Sequence, residues 1–85
     1  MNAPTLDFYY FDSCPYCQRV IKTIEKLNIS VNWKDIYADK ANMNFLVEKT
    51  GRKTVPCLFI DGQPMHESLE IMAWLEENVD TLNKK

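Results

Sequence analysis

Leu6-Asp7-Phe8-Tyr9-Tyr10-Phe11-Asp12-Ser13-Cys14-Pro15-Tyr16-Cys17 carries a strand, a turn and a helix start in immediate succession. Leu6 to Phe11 is an apolar and aromatic run of strand character, and Asp12-Ser13 are residues that favour turns and helix starts. Pro15 suits the first turn of a helix, where its missing N–H has no partner to lose. Beyond it, Val20, Ile24 and Leu27 recur at helical spacing while Lys22, Glu25 and Lys26 occupy other faces. That pattern predicts an amphipathic helix to about Asn28.

The two cysteines of this stretch bracket the helix start. Cysteine reacts as its thiolate, which the free amides and positive dipole end of a helix N-terminus stabilise. Cys14 falls at that place. Cys17 is one turn on, about 5 Å away by helix geometry, within the separation a disulfide accepts. Pro15 fixes the entry into the helix and Tyr16 lays an aromatic edge beside the sulfur. By itself C-x-x-C denotes either a redox couple or half a metal site.

Working outward, Ser30 to Ile36 predicts a second strand carrying Val31, Trp33 and Ile36. A second helix runs from Asp39, its N-cap, to a stop at Gly51, with Ala41, Phe45 and Leu46 as its stripe. Val55 to Ile60 reads as a third strand opened by Pro56. Asp61-Gly62 is a hairpin turn leading into a fourth strand at Gln63 to His66. A last helix, Ser68 to Val79, turns Ile71, Met72, Leu75 and Val79 inward. The order is β-α-β-α-β-β-α. The helical crossover makes the first two strands parallel and the hairpin makes the last two antiparallel. The expected fold class is therefore α/β, a four-stranded mixed sheet flanked by helices, as one domain over residues 1–85.

Composition narrows the function classes. Ten Lys+Arg against twelve Asp+Glu leave a formal charge of -2, with no electrostatic footprint for nucleic acid or anionic lipid. The N-terminal residues lack a basic region followed by an apolar run, and no apolar stretch reaches the length of a membrane span. The three cysteines are an odd number, which speaks against a secreted disulfide scaffold and for a reducing compartment. The chain is expected to be cytoplasmic, with no nucleic acid or membrane partner.

Cys14, Cys17, Cys57 and His66 add up to a Cys₃His ligand set, but Cys57 and His66 lack the short spacing that normally presents a second ligand pair. No metal is expected. Cys57 reads more simply as a small buried hydrophobe, His66 as a partly exposed strand end, Trp33 and Trp74 as packing residues, and Lys84-Lys85 as a solvated terminus. Ordinary helix-start chemistry, with Ser as cap and Glu near the dipole, accounts for Glu67-Ser68 taken alone.

Cys14-Pro15-Tyr16-Cys17, together with Thr54-Val55-Pro56 and Leu58-Phe59-Ile60-Asp61-Gly62, resembles the glutaredoxin family over nearly the whole chain. The resemblance implies the thioredoxin fold, a cis peptide bond before Pro56 across from the cysteine pair, and glutathione as reducing co-substrate. It implies that Cys14 is the nucleophile and Cys17 the resolving thiol, acting as a monomer on disulfide-bonded or glutathionylated proteins. A cis Val55-Pro56 bond would turn the Val55 N–H and C=O toward an extended peptide, as an added strand would find them.

Glu67-Ser68 stands where many glutaredoxins carry a Gly-Gly-x-Asp-Asp-like segment, and is similar to the motif of glutathione transferase N-terminal domains and of transferase-like glutaredoxins. A helix N-terminus and the Ser68 hydroxyl suit a carboxylate, and Glu67 suits an ammonium, which matches the γ-glutamyl end of glutathione. Tyr16, Val55, Pro56, Glu67 and Ser68 are thus the expected glutathione contacts. Arg19, Arg52 and Lys53 are candidates for the glycyl carboxylate, and Gln18 is a candidate donor. Asp12 departs from the family, many of whose members have Lys before the pair, and would disfavour a nearby anion.

Two other readings stay open at this level. One is a thioredoxin-like electron donor, for example to ribonucleotide reductase, against which Glu67-Ser68 speaks. The other is an iron-sulfur cluster carrier, against which Pro15-Tyr16 speaks. A transferase would need a helical second domain for its electrophile.

Overall fold

The computed structural model describes residues 3–85. Its elements follow the expected order: β1 (Leu6–Tyr10), α1 (Pro15–Lys26), β2 (Asn32–Asp35), α2 (Lys40–Thr50), β3 (Cys57–Ile60), β4 (Gln63–Met65) and α3 (Ser68–Asn78), closed by a 3₁₀ turn at Val79–Thr81. The four strands form one sheet in the order β2-β1-β3-β4. β1 runs parallel to β2, pairing Phe8 with Trp33, and antiparallel to β3, pairing Phe8 with Leu58. β3 and β4 form the antiparallel hairpin, through Asp61 and Gly62 with φ of 49° and 86°. Two successive left-handed residues are what a tight hairpin of the right twist requires. This α/β arrangement is the thioredoxin fold.

Strand alternation sorts the core into two faces. Leu6 and Phe8 of β1 and Leu58 of β3 meet Val20 and Ile24 of α1 and Ile71 and Leu75 of α3. Tyr9, Cys57 and Phe59 point the other way, to Ile36 just after β2 and to Leu46 of α2. The sheet therefore separates α1 and α3 from α2, and the strand ends that follow β1 and precede β3 come together at one edge of the molecule.

Several boundaries differ from expectation, each for a local reason. β3 begins at Cys57 rather than Val55, because Pro56 has no N–H for the ladder and the first pairing is Tyr9 with Cys57. β2 is shorter than expected at its start because the Ser30 amide donates to the Asn83 carbonyl at 2.8 Å. α3 stops at Asn78, and Val79 begins the 3₁₀ turn. The expected stripe of α2 is thin: Leu46 is fully buried, Ala41 is exposed, and Phe45 lies on the surface with its ring stacked on Tyr9 at 5.6 Å. Trp33 is partly exposed and packs edge-on to Phe8.

Lys84-Lys85 is not a free solvated end. Lys84 bridges Ile29, the Lys85 amide donates to the Asn28 carbonyl at 3.0 Å, and the Lys84 ammonium binds the Val79 and Leu82 carbonyls. Just ahead of it, Leu82 is buried in the core, which draws the tail against the loop after α1.

Candidate active site

Cys14 is the N-cap of α1, extended at φ -79° and ψ 115°, with Pro15 as the first helical residue. The cap is made by sulfur: the Cys17 amide donates to Cys14 Sγ at 3.3 Å. The Cys14 amide donates to the Phe11 carbonyl at 3.2 Å, and the Cys14 carbonyl accepts from the Gln18 amide at 3.0 Å. The turn between β1 and α1 is thus closed on both sides of the cysteine, and one otherwise orphaned helix amide is aimed at its sulfur.

Cys17 is fully buried, and its thiol is pushed up to about 12, first by burial and next by its hydrogen bond with Cys14. It remains a thiol at neutral pH. Cys14, at 5% exposure, is the less enclosed of the pair. Cys57, directly after Pro56, is also fully buried and pushed up to about 12, by burial above all, with a hydrogen bond to the Met65 backbone and then the Arg52 charge pulling the other way.

Beside this turn lies an open cleft of about 690 Å³. One wall is Tyr16 and Arg19 from the first turns of α1, with the Arg19 guanidinium over the Tyr16 ring at 5.5 Å. The floor is Arg52, Thr54, Val55 and Pro56, the segment between α2 and β3. The Val55-Pro56 bond is cis, and among the described residues no hydrogen-bond partner is found for the Val55 amide or carbonyl. The opposite wall is His66, Glu67, Ser68, Leu69 and Glu70, where β4 passes into α3.

At that wall the helix starts differently from the ordinary capping arrangement. Glu67, not Ser68, is the N-cap, and it makes no side-chain capping bond. Ser68 is the first helical residue, and its hydroxyl makes no hydrogen bond among the described residues. The first amides of α3 have no helical acceptor, and the residues that carry them line the cleft. The cleft thus offers two guanidinium groups, two carboxylates, one imidazole, a free strand-like backbone edge and a helix N-terminus.

Of the residues singled out in the sequence, Tyr16, Arg19, Arg52, Val55, Pro56, Glu67 and Ser68 line this one cleft. Gln18 and Lys53 do not. Gln18 turns its Nε2 donor to the Asp12 carbonyl at 2.6 Å, and Lys53 is exposed outside the lining. Cys14 and Cys17 lie at the head of α1 rather than in the lining, joined to it through Tyr16.

Sequence reasoning missed Thr54, His66, Leu69 and Glu70 as lining residues. Glu70 carried a usable signal, since it stands one helical turn after Glu67. Leu69 did too, as an apolar residue off the inward stripe of α3; it is 70% exposed. His66 gave none: its ring nitrogen reaches the Thr54 carbonyl at 3.3 Å across the cleft only because the hairpin returns β4 beside the Thr54-Pro56 segment. Among the described residues no three His, Cys, Asp or Glu side chains cluster closely enough to hold a metal ion, and His66 points to Thr54 rather than to the cysteine pair.

The family described as glutathione S-transferase, N-terminal domain, matches residues 8–82. Glutaredoxin 1 of Escherichia coli (strain K12) is 34% identical over 74 residues, covering 79% of this chain and 87% of that protein. Glutaredoxin 3 of the same organism is 31% identical over 58 residues, covering 68% and 70%. Among solved structures, a glutathione transferase homologue from Drosophila mojavensis with bound glutathione superposes with a TM-score of 0.76 at 22% identity, over 89% of this chain and 36% of that one. Glutaredoxin from Brucella melitensis does so with a TM-score of 0.67 at 24% identity, over 99% and 92%. The structural likenesses speak to the fold; the chain spans about a third of that transferase.

Proposed function

The chain belongs to the glutaredoxin family and is a glutaredoxin-type thiol oxidoreductase, and from that premise we propose that it uses glutathione to reduce glutathione mixed disulfides and protein disulfides through Cys14 and Cys17. The observation that carries this reading is the sulfur-capped helix: Cys14 Sγ accepts the Cys17 amide at the start of α1, and the cleft begins at Tyr16 beside it.

Glutathione presents two carboxylates, one ammonium and an extended peptide, and the cleft has groups suited to each. The Val55 backbone edge suits the peptide, in the manner of an added strand. Glu67 suits the ammonium, while Ser68, the free amides of α3, Arg19 and Arg52 suit the carboxylates. Tyr16 and Pro56 supply the apolar contact around the sulfur. Gln18 and Lys53 are not assigned contacts because neither lines the cleft.

In the first half-reaction the Cys14 thiolate attacks the glutathione sulfur of a mixed disulfide. A Cys14-glutathione disulfide forms, the original disulfide breaks, and the substrate leaves as a thiolate that takes a proton from water. A second glutathione, as its thiolate, then attacks the glutathione sulfur on Cys14, yielding glutathione disulfide and restoring Cys14. With a protein disulfide, Cys14 first forms a mixed disulfide with one substrate sulfur. Cys17 gives its proton to water and its sulfur attacks Cys14 Sγ; the Cys14–substrate disulfide breaks, and the substrate thiolate leaves and takes a proton from water. The resulting Cys14-Cys17 disulfide takes its two electrons from two glutathiones. Burial first, and then its hydrogen bond with Cys14, hold the proton on Cys17, which favours Cys14 over Cys17 as the attacking sulfur.

The test is the identity of the reductant. Glutathione with glutathione reductase and NADPH should sustain turnover of the mixed disulfide of glutathione and 2-mercaptoethanol. Turnover sustained by thioredoxin reductase and NADPH alone, with glutathione idle, would refute the reading.

A further inference from the structure

β1 separates two surfaces at the end of the molecule that holds Cys14. β3 and β4, with the cleft, lie to one side of it and β2 lies to the other. On the β2 side Tyr37 is 69% exposed, more than Tyr16 in the cleft. Its ring leans on Phe11 with centroids 5.2 Å apart. Neither residue lines the cleft, and the sulfur chemistry described above uses neither.

The loop carrying Tyr37 is held rather than loose. Asp35 Oδ1 accepts the Tyr37 and Ala38 amides at 2.9 and 3.1 Å, the Ile36 amide donates to the Tyr10 carbonyl at 2.9 Å, and Asn42 Nδ2 donates to the Asp35 carbonyl at 3.0 Å. A large ring fixed in place yet left in water loses little further freedom when a partner covers it, which is the property of an interface anchor. Phe11 is also the residue whose carbonyl accepts the Cys14 amide, so the ring pair is a single tight turn from the nucleophile. A polypeptide cysteine joined to Cys14 has its immediate neighbours within reach of it, at roughly 3.5 Å per residue.

On the side of the rings that faces Cys14 the nearest charge in the chain is a carboxylate, while Lys34 and Lys40 flank the Tyr37 turn farther along. Asp12 is exposed between Phe11 and Cys14, and Asp35 anchors the Tyr37 turn. Both carboxylates act on the Tyr10 hydroxyl, which burial and then these two charges push upward. The guanidinium groups of Arg19 and Arg52 are on the cleft side.

We propose that Tyr37, Phe11 and Asp12 form a docking ridge for polypeptide substrates that carry Lys or Arg next to the reacting cysteine. Tyr37 takes a cationic side chain over its ring, Asp12 attracts the same charge, and the glutathionyl half of the substrate occupies the cleft on the other side of Cys14. The ridge selects among substrates of the thiol exchange proposed above, and so depends on that reading.

The experiment compares two peptides, each with one glutathionylated cysteine, flanked by lysines in one and by glutamates in the other. Rates are divided by those of the uncatalysed reaction with glutathione, which removes the effect of flanking charge on the leaving thiol. The lysine peptide should be favoured in kcat/KM by about tenfold at low salt, and much less in 0.5 M salt. Tyr37→Ser and Asp12→Asn should each erase most of that preference, and Tyr37→Ser should leave turnover of the glutathione–2-mercaptoethanol disulfide unchanged.

Equal rates for the two peptides, or a preference that survives both substitutions, would overturn the ridge while the glutathione reading stands. Failure on the small mixed disulfide as well would overturn both. A Tyr37-dependent dimer at assay concentration in sedimentation velocity would assign the ring pair to a second copy of the chain, and would likewise overturn it.

Discussion

The Cys17 amide donates to the sulfur of Cys14 at 3.3 Å, so the side chain that caps α1 is itself the sulfur to which chemistry is assigned. The cap and the proposed nucleophile are therefore one sulfur, and the two cysteines are unequal in their packing. One holds the helix end at the edge of the molecule; the other hangs beneath it in the core.

That inequality predicts the outcome of single substitutions. Cys14→Ser should abolish turnover of both glutathione mixed disulfides and protein disulfides. Cys17→Ser should spare the former and stop the latter at a mixed disulfide visible by intact mass. Deglutathionylation retained in the Cys14→Ser protein would contradict the assignment.

Native alkylation should follow the same order. With excess iodoacetamide near pH 7.5, peptide mapping should find label on Cys14, with Cys17 and Cys57 modified only after unfolding, since both are fully enclosed and hold their protons to about 12. Label on Cys17 at the pace of Cys14 would show the pair to be more open than the packing implies.

The buried thiols also make stability depend on alkaline pH. Their ordinary value of 9.0 is raised to about 12 in the fold, so above pH 9 the unfolded chain loses protons that the native state keeps. Stability is full below pH 9 and falls as pH climbs toward 12. Tyr9 and Tyr10, also raised by burial, deepen the fall above pH 10. Urea midpoints at pH 8, 9.5 and 10.5 should decline, and Cys57→Ala, whatever its constant packing cost, should decline less steeply. Parallel slopes for the two proteins would contradict this.

Loss of one charge from the cleft should be felt in binding rather than chemistry. Glu67→Gln replaces an uncapped carboxylate at the helix start with a neutral group of the same shape. Half-saturation by glutathione should rise about tenfold, corresponding to about 1.4 kcal/mol, with the single-turnover rate at saturation little changed. An unchanged half-saturation in a steady-state titration would remove Glu67 from the proposed contacts.

The C-terminal tail should matter for folding although it is far from the cleft. Removing Asn83–Lys85 takes away the Ser30 to Asn83 and Lys85 to Asn28 backbone bonds and the bridge to Ile29. The expected loss is about 1–3 kcal/mol in chemical denaturation, with activity of the folded fraction intact. A loss below experimental error would mean that buried Leu82 alone holds this end.

The element order, the parallel-then-antiparallel strand arrangement, the Asp61-Gly62 turn and the cysteine at the head of a helix are all written locally. Each depends on residues a few positions apart: alternating apolar residues, a proline after a turn, an Asp that caps α2, a Gly that ends it. Asp39 does accept the Ala41 amide, and Gly51 does adopt the left-handed φ of 78° that stops the helix. Residues within one turn or one hairpin constrain each other before the chain is folded, so short stretches are enough to read them.

What only the tertiary structure decided concerns residues distant in the chain. That Arg52, Val55 and Glu67 share a cleft with Tyr16, while Gln18 and Lys53 do not line it, depends on how the hairpin and α3 return to the head of α1. His66 meets Thr54, Lys84 meets Ile29 and Tyr37 is left in water for the same reason. The Cys14-Pro15-Tyr16-Cys17 stretch by itself determined that a cysteine caps the start of a helix, which is where the proposed sulfur chemistry is placed. Its surroundings, a mixed-charge cleft on one side and an acidic, aromatic ridge on the other, were set by packing, because a side chain's neighbours across a sheet are chosen by the fold and not by its own sequence.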